Sequence, residues 1–393
     1  MRQLKIRFKK YNDVWKNVKL TETAPIVMGQ SPDSKNYTDN PNDYILVQGN
    51  ADMQNGRVVP RVWTTQITKL AKKGDLILSV RAPVGDIGKT DYNVVLGRGV
   101  AAIKGNEFIF QLLSRMKQFN YWSKLSTGST FESINSSDIK STEIFLPSPE
   151  EQSAIGSLFR TLDDLLVSYK DNLASYQSLK VTMLSKMFPK AGQTVPEIRL
   201  DGFEDEWEKG TIGEFGSFYY GKSAPKWSVT DEATTPCVRY GELYTKFSTK
   251  IDKIYSYTSI PKENLKLSSG NEVLVPRVGE NPLDFANCSW LSLKGVAIGE
   301  MISVYNTPNN PLFIAYYFNA KMKKEFAKRV EGGSVANLYY TYLENISISV
   351  PSLPEQQAIG TYFSNLDNLI NSHQEKIFQL ETLKKKLLQD MFI

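Results

Sequence analysis

Side chains that commonly carry catalysis are scarce in this sequence of 393 residues. His373 is the only histidine, so a Ser-His-Asp triad, a Cys-His dyad or a multi-histidine metal site would have to be built around that one residue. Cys237 and Cys288 are the only cysteines, which excludes a disulfide framework and a zinc site made of cysteines. The sequence therefore offers little for nucleophilic or metal-assisted chemistry.

Two short motifs come close to nucleotide or methyl-transfer chemistry, and each lacks an essential residue. Gly88-Lys89-Thr90 ends like a Walker A loop, but Pro83 stands where the motif needs its first glycine. A Gly-rich turn between strands is the better interpretation. The segment 40–44 (NPNDY) lacks the second proline of the Asn-Pro-Pro-aromatic motif of amino-methyltransferases. We expect no catalytic residue, metal site or cofactor in this chain.

An internal repeat is the main organising pattern of the chain. Residues 147–188 align with residues 351–392 without a gap at an offset of 204, and residues 6–15 match residues 198–207 at an offset of 192. Further landmarks recur in the same order at slowly drifting offsets. This pattern indicates that a unit of ~200 residues was duplicated and that its loops then changed length.

Composition sets the broad class of the protein. Hydrophobic residues make up 41% and charged residues 23% of the chain, as in ordinary globular proteins. A net charge of +5 and a pI near 8.8 permit nucleic-acid binding without establishing it. Neither a run of ~18 apolar residues nor a secretory signal is present, so we expect a cytoplasmic protein that does not bind membranes.

Each half of the chain opens with an irregular α/β stretch. Runs of β-branched and aliphatic residues bounded by Gly, Pro and Asn predict strands. These runs are 43–49, 75–80 and 143–147 in the first half, and 272–276, 297–305 and 346–351 in the second. One helix is predicted late in each stretch, over 107–122 and 312–330.

The segment that closes each half is predicted to be a long helix with a coiled-coil seam. Its apolar residues step by four and three, and a mean spacing of ~3.5 over about five heptads is typical of a coiled coil. The seam residues are Ile155, Phe159, Leu162, Leu166, Tyr169 and Leu173 in the first copy, and Ile359, Phe363, Leu366, Ile370, His373 and Ile377 in the second. Lys180 and Lys384 interrupt both seams at the same position. About 38 residues span roughly 57 Å, too long for one small domain to cover, so we expect the two copies to pack on each other.

Two related modules joined by a helical rod suit a long and regular ligand. Duplex DNA fits, because ~57 Å corresponds to roughly 16–17 base pairs. The modules would read two half-sites in successive grooves, and the rod would set the gap between them.

The whole chain resembles the specificity (S) subunit of type I restriction–modification systems. The resemblance rests on a P-S-x-x-E-Q-x-A-I-G block at 147–156 that recurs at 351–360 with its second proline shifted by one position. It also rests on helices that end in Met-Phe at 187–188 and 391–392, and on entry segments that end at Trp15 and Trp207.

The resemblance implies an α+β protein with an internal pseudo-two-fold repeat, in which two long antiparallel coiled-coil helices separate two similar α/β target recognition domains. The corresponding segments are 1–148 for the first domain, 149–189 for the first helix, 190–352 for the second domain and 353–393 for the second helix. Each domain would read one half of a split, asymmetric site in double-stranded DNA.

The resemblance also implies partners. The helices would dock two methyltransferase (M) subunits, which methylate adenine at N6 with S-adenosylmethionine. Restriction (R) subunits would add ATP-driven translocation and Mg²⁺-dependent DNA cleavage. The chain itself would perform none of this chemistry and would bind none of these cofactors.

Candidate DNA contacts are polar side chains in loops, because arginine and lysine suit guanine or phosphate, amides suit adenine, and hydroxyls suit several acceptors and donors. In the first domain they are Gln30, Ser31, Gln48, Asn50, Arg81, Arg98, Ser129 and Thr130. In the second domain they are Lys222, Ser223, Arg239, Glu242, Arg277, Ser334 and Asn337. Arg81 and Arg277 stand out because each follows a matching strand in its repeat, a coincidence that also fits a structural salt bridge.

The start of each long helix is the candidate partner surface. Glu151, Gln152, Glu355 and Gln356 either face the M subunits or cap their own helices, since acidic side chains favour a helix N-terminus.

Two other functions remain open on the sequence alone. A nuclease fused to a recognition unit would need a carboxylate cluster or a methyl-donor motif, and neither is visible. A non-catalytic scaffold whose two domains bind proteins would show no salt-dependent DNA affinity.

Overall fold

A computed structural model of the chain describes residues 4–126, 132–222 and 224–393. The chain divides into two compact units, Met1–Asp171 with His373–Ile393, and Asn172–Ser372. Both boundaries fall inside the long helices, so each unit holds one α/β domain together with half of each helix. The division into four segments stays a prediction.

Mixed sheets form the first domain, with parallel pairs between Ile87–Lys89 and Arg57–Val58 and between Val94–Leu96 and Tyr44–Val47. One sheet runs in the order Ile26–Met28, Val100–Ile103, Leu76–Ser79, Ile87–Lys89, Arg57–Val58 and Met53–Gln54, and a second in the order Tyr37–Thr38, Trp63–Thr64, Tyr44–Val47, Val94–Leu96 and Leu70–Ala71. Lys16–Lys19 pairs with Glu143–Leu146. The helices are Leu20–Thr23, Glu107–Gln118, Tyr121–Leu125 and Ser136–Lys140, with 3₁₀ turns at Ser34–Asn36 and Asn50–Asp52.

The second domain repeats the central part of this arrangement. One sheet runs in the order Ser217–Tyr220, Ile302–Asn306, Glu272–Pro276, Ser289–Leu291 and Lys250–Ile251, and another in the order Ser256–Thr258, Thr235–Val238, Lys294–Ile298 and Leu267–Ser269. Val278–Gly279, Ala336–Asn337 and Glu331–Gly332 form a small sheet, and Glu208–Thr211 pairs with Ser347–Val350. The helices are Tyr240–Thr245, Pro311–Lys321 and Lys323–Ala327, with 3₁₀ turns at Lys226–Ser228, Lys262–Asn264, Pro282–Ala286 and Tyr340–Tyr342.

The structure shortens or divides several predicted elements. The helix expected over 107–122 ends at Gln118, and a second short helix, Tyr121–Leu125, follows Asn120, which has a left-handed φ of 55°. The strand expected over 297–305 is two strands joined by a turn at Gly299–Met301. Periodicity identified the apolar runs. It did not reveal the local turns that divide these runs into shorter elements.

The two long helices are Pro149–Lys186 and Leu353–Asp390. Ser148 Oγ accepts a hydrogen bond from the N–H of Glu151 (3.3 Å), which caps the first helix. This helix ends three residues before Pro189, because Met187 and Phe188 turn into an apolar core. In each unit the helix halves run antiparallel, and the predicted α+β fold class is confirmed.

Equivalent aromatic residues close the core of each unit. Phe392, just past the end of the second long helix, contacts the rings of Trp15, Phe108 and Phe159 in the first unit. Phe188, just past the end of the first long helix, contacts the rings of Trp207, Phe313, Tyr317 and Phe363 in the second unit. Each recognition domain is thereby packed against the end of the long helix that the other repeat contributes.

Within the residues that the structure describes, no helix is both long enough and apolar enough to cross a membrane.

Candidate nucleic-acid interface

Three strand ends of the first domain meet at loops that carry predicted DNA contacts. The N–H of Gln30 donates to the carbonyl of Leu96 (2.9 Å), and the N–H of Gly97 donates to the carbonyl of Val47 (2.8 Å). These bonds place the loop of Gln30 and the loop of Gln48 on the two sides of the turn at Gly97.

The second domain builds the same backbone frame. The N–H of Lys222 donates to the carbonyl of Ile298 (2.9 Å), and the N–H of Gly299 donates to the carbonyl of Val238 (3.0 Å). Lys222 therefore takes the place of Gln30, and Arg239 takes the place of Gln48.

Glycine is required where two of these loops cross. A Cβ on Gly29 would lie 2.0 Å from the carbonyl oxygen of Gly97, and a Cβ on Gly221 would lie 2.1 Å from the carbonyl oxygen of Gly299. No side chain fits such a contact, so the loops can approach each other this closely only with glycine at both positions.

A third strand end joins the cluster and corrects one predicted equivalence. The N–H of Val80 donates to the carbonyl of Gly99 (2.8 Å), and the N–H of Arg277 donates to the carbonyl of Met301 (3.2 Å). Arg277 is therefore the counterpart of Val80, and the sequence pairing of Arg277 with Arg81 is wrong by one residue.

One additional residue just before the central strand of the second domain explains the shift. Glu272 is the counterpart of Asp75, whose carboxylate accepts a hydrogen bond from the N–H of Lys72 (2.8 Å). Asp75 follows Gly74 directly, whereas Asn271 separates Gly270 from Glu272. The Glu272 carboxylate accepts hydrogen bonds from the N–H groups of Ser269, Gly270 and Asn271 (2.6–3.0 Å). A one-residue offset in a strand moves a side chain to the opposite face, so Arg81 and Arg277 do not occupy matching positions.

The structure places the candidate DNA contacts at different exposures. Gln30, Arg81, Arg98, Lys222 and Ser334 are exposed, whereas Ser31, Gln48, Asn50, Arg239, Arg277 and Asn337 are half-buried. The Oγ of Ser31 accepts a hydrogen bond from the N–H of Arg98 (3.1 Å), which joins two of the predicted loops. Ser129, Thr130 and Ser223 lie outside the described residues.

The candidate arginines differ from the other arginines in their pairing. Carboxylates of the same unit pair with Arg7, Arg57, Arg61, Arg160, Arg199 and Arg329. Arg115 donates to the carbonyl of Ile393 (3.2 Å). No carboxylate of the described chain lies within salt-bridge distance of Arg81, Arg98, Arg239 or Arg277. The arginines at the strand ends therefore keep their guanidinium charge available for an external anion or hydrogen-bond acceptor.

Glu242 needs correction as a DNA contact, because its carboxylate is buried and already bonded. One oxygen accepts from the N–H of Arg239 (3.0 Å), and the other accepts from Ser256 Oγ (2.6 Å) and pairs with Lys246 (3.1 Å). Glu242 caps the helix Tyr240–Thr245 and supports the loop of Arg239 from beneath.

The predicted partner surface at the helix starts also needs correction. Glu151 and Glu355 are each 1% exposed. Arg7 donates two hydrogen bonds to Glu151 (2.7 and 2.7 Å), and Arg199 donates two to Glu355 (2.8 and 2.7 Å). These bonds raise the pKa of both arginines. Each bidentate pair fastens the entry segment of its domain to a long helix.

Gln152 and Gln356 are buried next to these pairs. Their Nε2 atoms donate to the carbonyls of Pro147 (2.9 Å) and Pro351 (2.8 Å). Of the two alternatives for these four side chains, the one in which they face partner subunits is wrong, because each is buried and hydrogen-bonded within its own unit.

The predicted seam residues line the inner side of the paired helices. Ile155, Phe159, Leu162, Leu166, Ile359, Phe363, Leu366 and Ile370 are buried, and Tyr169, Leu173, His373 and Ile377 are half-buried. The rings of Tyr169 and His373 lie 5.3 Å apart between centroids.

One aspartate in each unit connects three elements. In the first unit Asp163 pairs with Lys384 of the other long helix (2.5 Å) and accepts from Gln111 Nε2 (2.8 Å) of the recognition domain. In the second unit Asp367 pairs with Lys180 and accepts from the hydroxyl of Tyr316 (2.7 Å). The lysines that interrupt the seam are thus held by equivalent aspartates, 204 residues apart.

The chemistry of the remaining side chains gives no metal centre. Across residues 4–126, 132–222 and 224–393, no three His, Cys, Asp or Glu side chains converge as metal ligands would. Cys237 and Cys288 are both buried and unbridged, and burial raises the pKa of each thiol.

A comparison with protein families matches this architecture twice. The sequence model of the type I restriction modification DNA specificity domain matches residues 12–174 and 204–382. The chain belongs to this family. Each match begins near the tryptophan of an entry segment and ends within a long helix.

Two specificity subunits of one archaeon are similar in sequence to this chain and agree with the family assignment. The MjaX specificity subunit of Methanocaldococcus jannaschii is 36% identical over 148 residues, which cover 36% of this chain and 34% of that protein. The MjaIX type I restriction enzyme specificity subunit of the same organism is 23% identical over 333 residues, which cover 81% of this chain and 77% of that protein. The matches thus span about a third of the first relative's length and three quarters of the second's.

Solved structures share the fold. The type I restriction–modification S subunit from M. genitalium superposes with a TM-score of 0.66 at 16% identity, over 100% of this chain and 99% of that chain. A chain from a study of complex assembly and conformational transition in the type I R-M system gives a TM-score of 0.51 at 18% identity, over 98% of both chains.

Sequence reasoning missed the residues that hold the domains to the helices. Asp163 and Asp367 are identical between the repeats, and each lies opposite a seam lysine once the helices are paired antiparallel. Charge complementarity across that pairing was the available signal. The tyrosines around Arg277 carried no comparable signal, because the first repeat has no aromatic residues at those positions.

Proposed function

We propose that this chain is the DNA specificity subunit of a type I restriction–modification complex, and that each recognition domain reads one half of a bipartite, asymmetric site. The observation that carries the proposal is the set of four strand-end arginines without carboxylate partners, two in each domain, on matching backbone frames. Arginine in such a position suits phosphate oxygens and the guanine edge in the major groove.

The family description names DNA specificity, so a scaffold that binds only proteins is not favoured. The chain would act without chemistry of its own. Double-stranded DNA would be one partner, and two methyltransferase subunits would dock on the long helices and methylate adenine with S-adenosylmethionine. Restriction subunits that use ATP and Mg²⁺ would complete the complex, and the helices would fix the gap between the half-sites.

The experiment is single-molecule sequencing of N6-methyladenine in cells that express the cognate methyltransferase subunit with and without this chain. We expect a split motif, with two specified parts around a fixed gap, that appears only with the chain. A stable complex with the methyltransferase subunit but no chain-dependent methylation would contradict the proposal.

A matched set of variants separates surface charge from DNA contact. Arg57→Ala and Arg61→Ala remove arginines that already pair with Asp91 and Asp52. Arg81→Ala and Arg98→Ala remove arginines without such a partner. We expect the second pair to weaken DNA binding and to lower the salt dependence by about one unit for each phosphate that is no longer neutralised. The first pair should leave both quantities nearly unchanged.

A further inference from the structure

Among the contacts of the described residues, Arg277 stands in an environment that the other candidate arginines do not share. Its guanidinium carbon lies 4.3 Å from the ring centroid of Tyr220 and 5.3 Å from that of Tyr339. The ring of Tyr340 lies 4.6 Å from the ring of Tyr220 and 5.4 Å, nearly parallel, from that of Phe218. Stacking against aromatic rings restricts the orientation of a guanidinium while its N–H edge stays available for hydrogen bonds.

The hydrogen-bonding capacity of Arg277 is unused within the described chain. Its Nε is buried and has no hydrogen-bond partner there. No carboxylate of that part of the chain pairs with the side chain, whereas Arg199 of the same unit donates to both oxygens of Glu355. A buried donor without an acceptor is unfavourable, so this arrangement is explained if the acceptor arrives with a ligand.

The position of Arg277 puts it at the predicted reading surface. Its backbone N–H is bonded to Met301, just past the turn at Gly299 that separates Lys222 from Arg239. Its carbonyl accepts from the N–H of Leu338 (2.8 Å), next to the hairpin that carries Ser334 and Asn337. The tyrosine-held arginine therefore lies next to the loops that carry the other polar candidates of the second domain.

The described residues of the first domain contain no equivalent of this arrangement. At the matching ladder positions Val80 replaces Arg277 and Met28 replaces Tyr220. At the repeat offset of 204, Asn135 stands opposite Tyr339. Among the described residues the arrangement occurs only in the second repeat. We therefore expect it to contact a feature of the second half-site that the first half-site lacks.

We propose that Arg277, held by Tyr220 and Tyr339, reads one guanine in the half-site of the second domain through hydrogen bonds to its O6 and N7. The inference rests on the proposed function and adds the base and the atoms that are read. A fixed guanidinium matches the two adjacent acceptors of guanine in the major groove, which neither adenine, thymine nor cytosine offers together.

The test uses the complex of this chain with its methyltransferase subunit and a duplex that carries the methylated motif of the wild-type complex. Each guanine of the motif is replaced in turn by 7-deazaguanine, which lacks the N7 acceptor. We expect one position at which the wild-type complex binds roughly ten- to a hundredfold more weakly. In the Arg277→Ala complex, 7-deazaguanine at that position should weaken binding no further. At every other guanine, the effect of 7-deazaguanine should add to the effect of the variant.

Arg277→Lys and Arg81→Ala serve as controls. Lysine keeps the charge and can still donate to guanine, but it lacks the planar fork that stacks on the tyrosine rings, so it should retain only part of the guanine preference. Arg81→Ala should keep the full penalty at that guanine. Melting temperature and co-purification with the methyltransferase subunit establish that each variant is folded.

Two results would overturn the inference. One is an additive effect of Arg277→Ala with every 7-deazaguanine position. The other is a uniform loss on specific and random DNA with a shallower salt dependence, which would make Arg277 a phosphate contact. Both results presuppose a chain-dependent motif, so they leave the proposed function standing; the absence of any motif would contradict the proposed function itself.

Discussion

The two repeats are most alike where they attach to the long helices and least alike at the strand ends that we propose read DNA. Arg7–Glu151 and Arg199–Glu355 are the same bidentate pair, and both seam lysines are held by an equivalent aspartate. The strand ends share backbone hydrogen bonds, yet Val80 stands where the other repeat has Arg277. The attachment is common because both domains are held by the same pair of helices. The difference at the strand ends is what the proposed reading of two different half-sites requires.

Loss of the buried glutamate is the strongest test of the common attachment. Glu151→Ala and Glu355→Ala each leave a largely buried arginine unpaired, and each should lower the free energy of unfolding by about 3–5 kcal/mol. Trp15 Nε1 also donates to Glu151 (3.2 Å), whereas Trp207 Nε1 has no partner in the described chain. The first variant should therefore cost about 1 kcal/mol more.

Denaturant unfolding of each variant measures these costs. The matched control is Glu150→Ala, which removes an exposed glutamate one position earlier in the first helix. A cost below about 1 kcal/mol for both buried glutamates would show that the bidentate pairs do not hold the domains.

The aspartate junctions should give a smaller and unequal effect. Asp367→Ala removes the acceptor of the buried Tyr316 hydroxyl as well as the partner of Lys180. Burial raises the pKa of Tyr316, and the Asp367 carboxylate raises it further, so this hydroxyl stays protonated and needs an acceptor. We expect a loss of about 2–3 kcal/mol, against about 1–2 kcal/mol for Asp163→Ala, because Gln111 Nε2 keeps Glu107 as a second acceptor (3.0 Å).

A double-mutant cycle with Tyr316→Phe isolates the reason for the difference. The phenylalanine has no hydroxyl, so Asp367→Ala should cost about 1 kcal/mol less in that background. Strict additivity of the two substitutions would contradict the assigned hydrogen bond.

Replacing the equivalent glycines of the two long helices by alanine should give the smallest changes in stability, and the two changes should differ in sign. A Cβ on Gly156 would lie 2.8 Å from the Cβ of Glu107, whereas a Cβ on Gly360 would meet its nearest neighbours at 3.6 Å. Alanine gains about 1 kcal/mol over glycine inside a helix. Gly360→Ala should therefore stabilise its unit by up to about 1 kcal/mol. In Gly156→Ala the clash costs about 1–3 kcal/mol, so the net change should be zero or destabilising.

Thermal unfolding of the two alanine variants measures this contrast side by side. A stabilising effect of the same size at both positions would show that the first recognition domain packs no closer to its helix than the second does.

Sequence patterns predicted the fold well where they are long and periodic. The heptad spacing identified both long helices, because apolar residues that recur every three and four positions over 38 residues fit a coiled-coil helix and do not fit a strand. It also identified Lys180 and Lys384 as exceptions within the seam. It did not show what the lysines bind, because Asp163 and Asp367 come level with them only when the helices are paired.

The reading surface was less accessible to sequence analysis. Loop residues of the right chemistry could be nominated, but exposure and pairing decide among them, and neither follows from residue type. Glu242 resembled a DNA contact and proved to be a buried cap. One extra residue before the central strand, Asn271, made Arg81 and Arg277 look equivalent although they do not occupy matching positions.

The central claim is that each repeat reads its own half of the DNA site through its strand-end arginines. The most direct measurement selects DNA from a library with randomised half-sites, using complexes that carry Arg81→Ala with Arg98→Ala, or Arg239→Ala with Arg277→Ala. We expect each double variant to relax base preference in one half only, and a different half for each. Relaxation of the same half by both variants, or unchanged preference in both halves, would contradict the account.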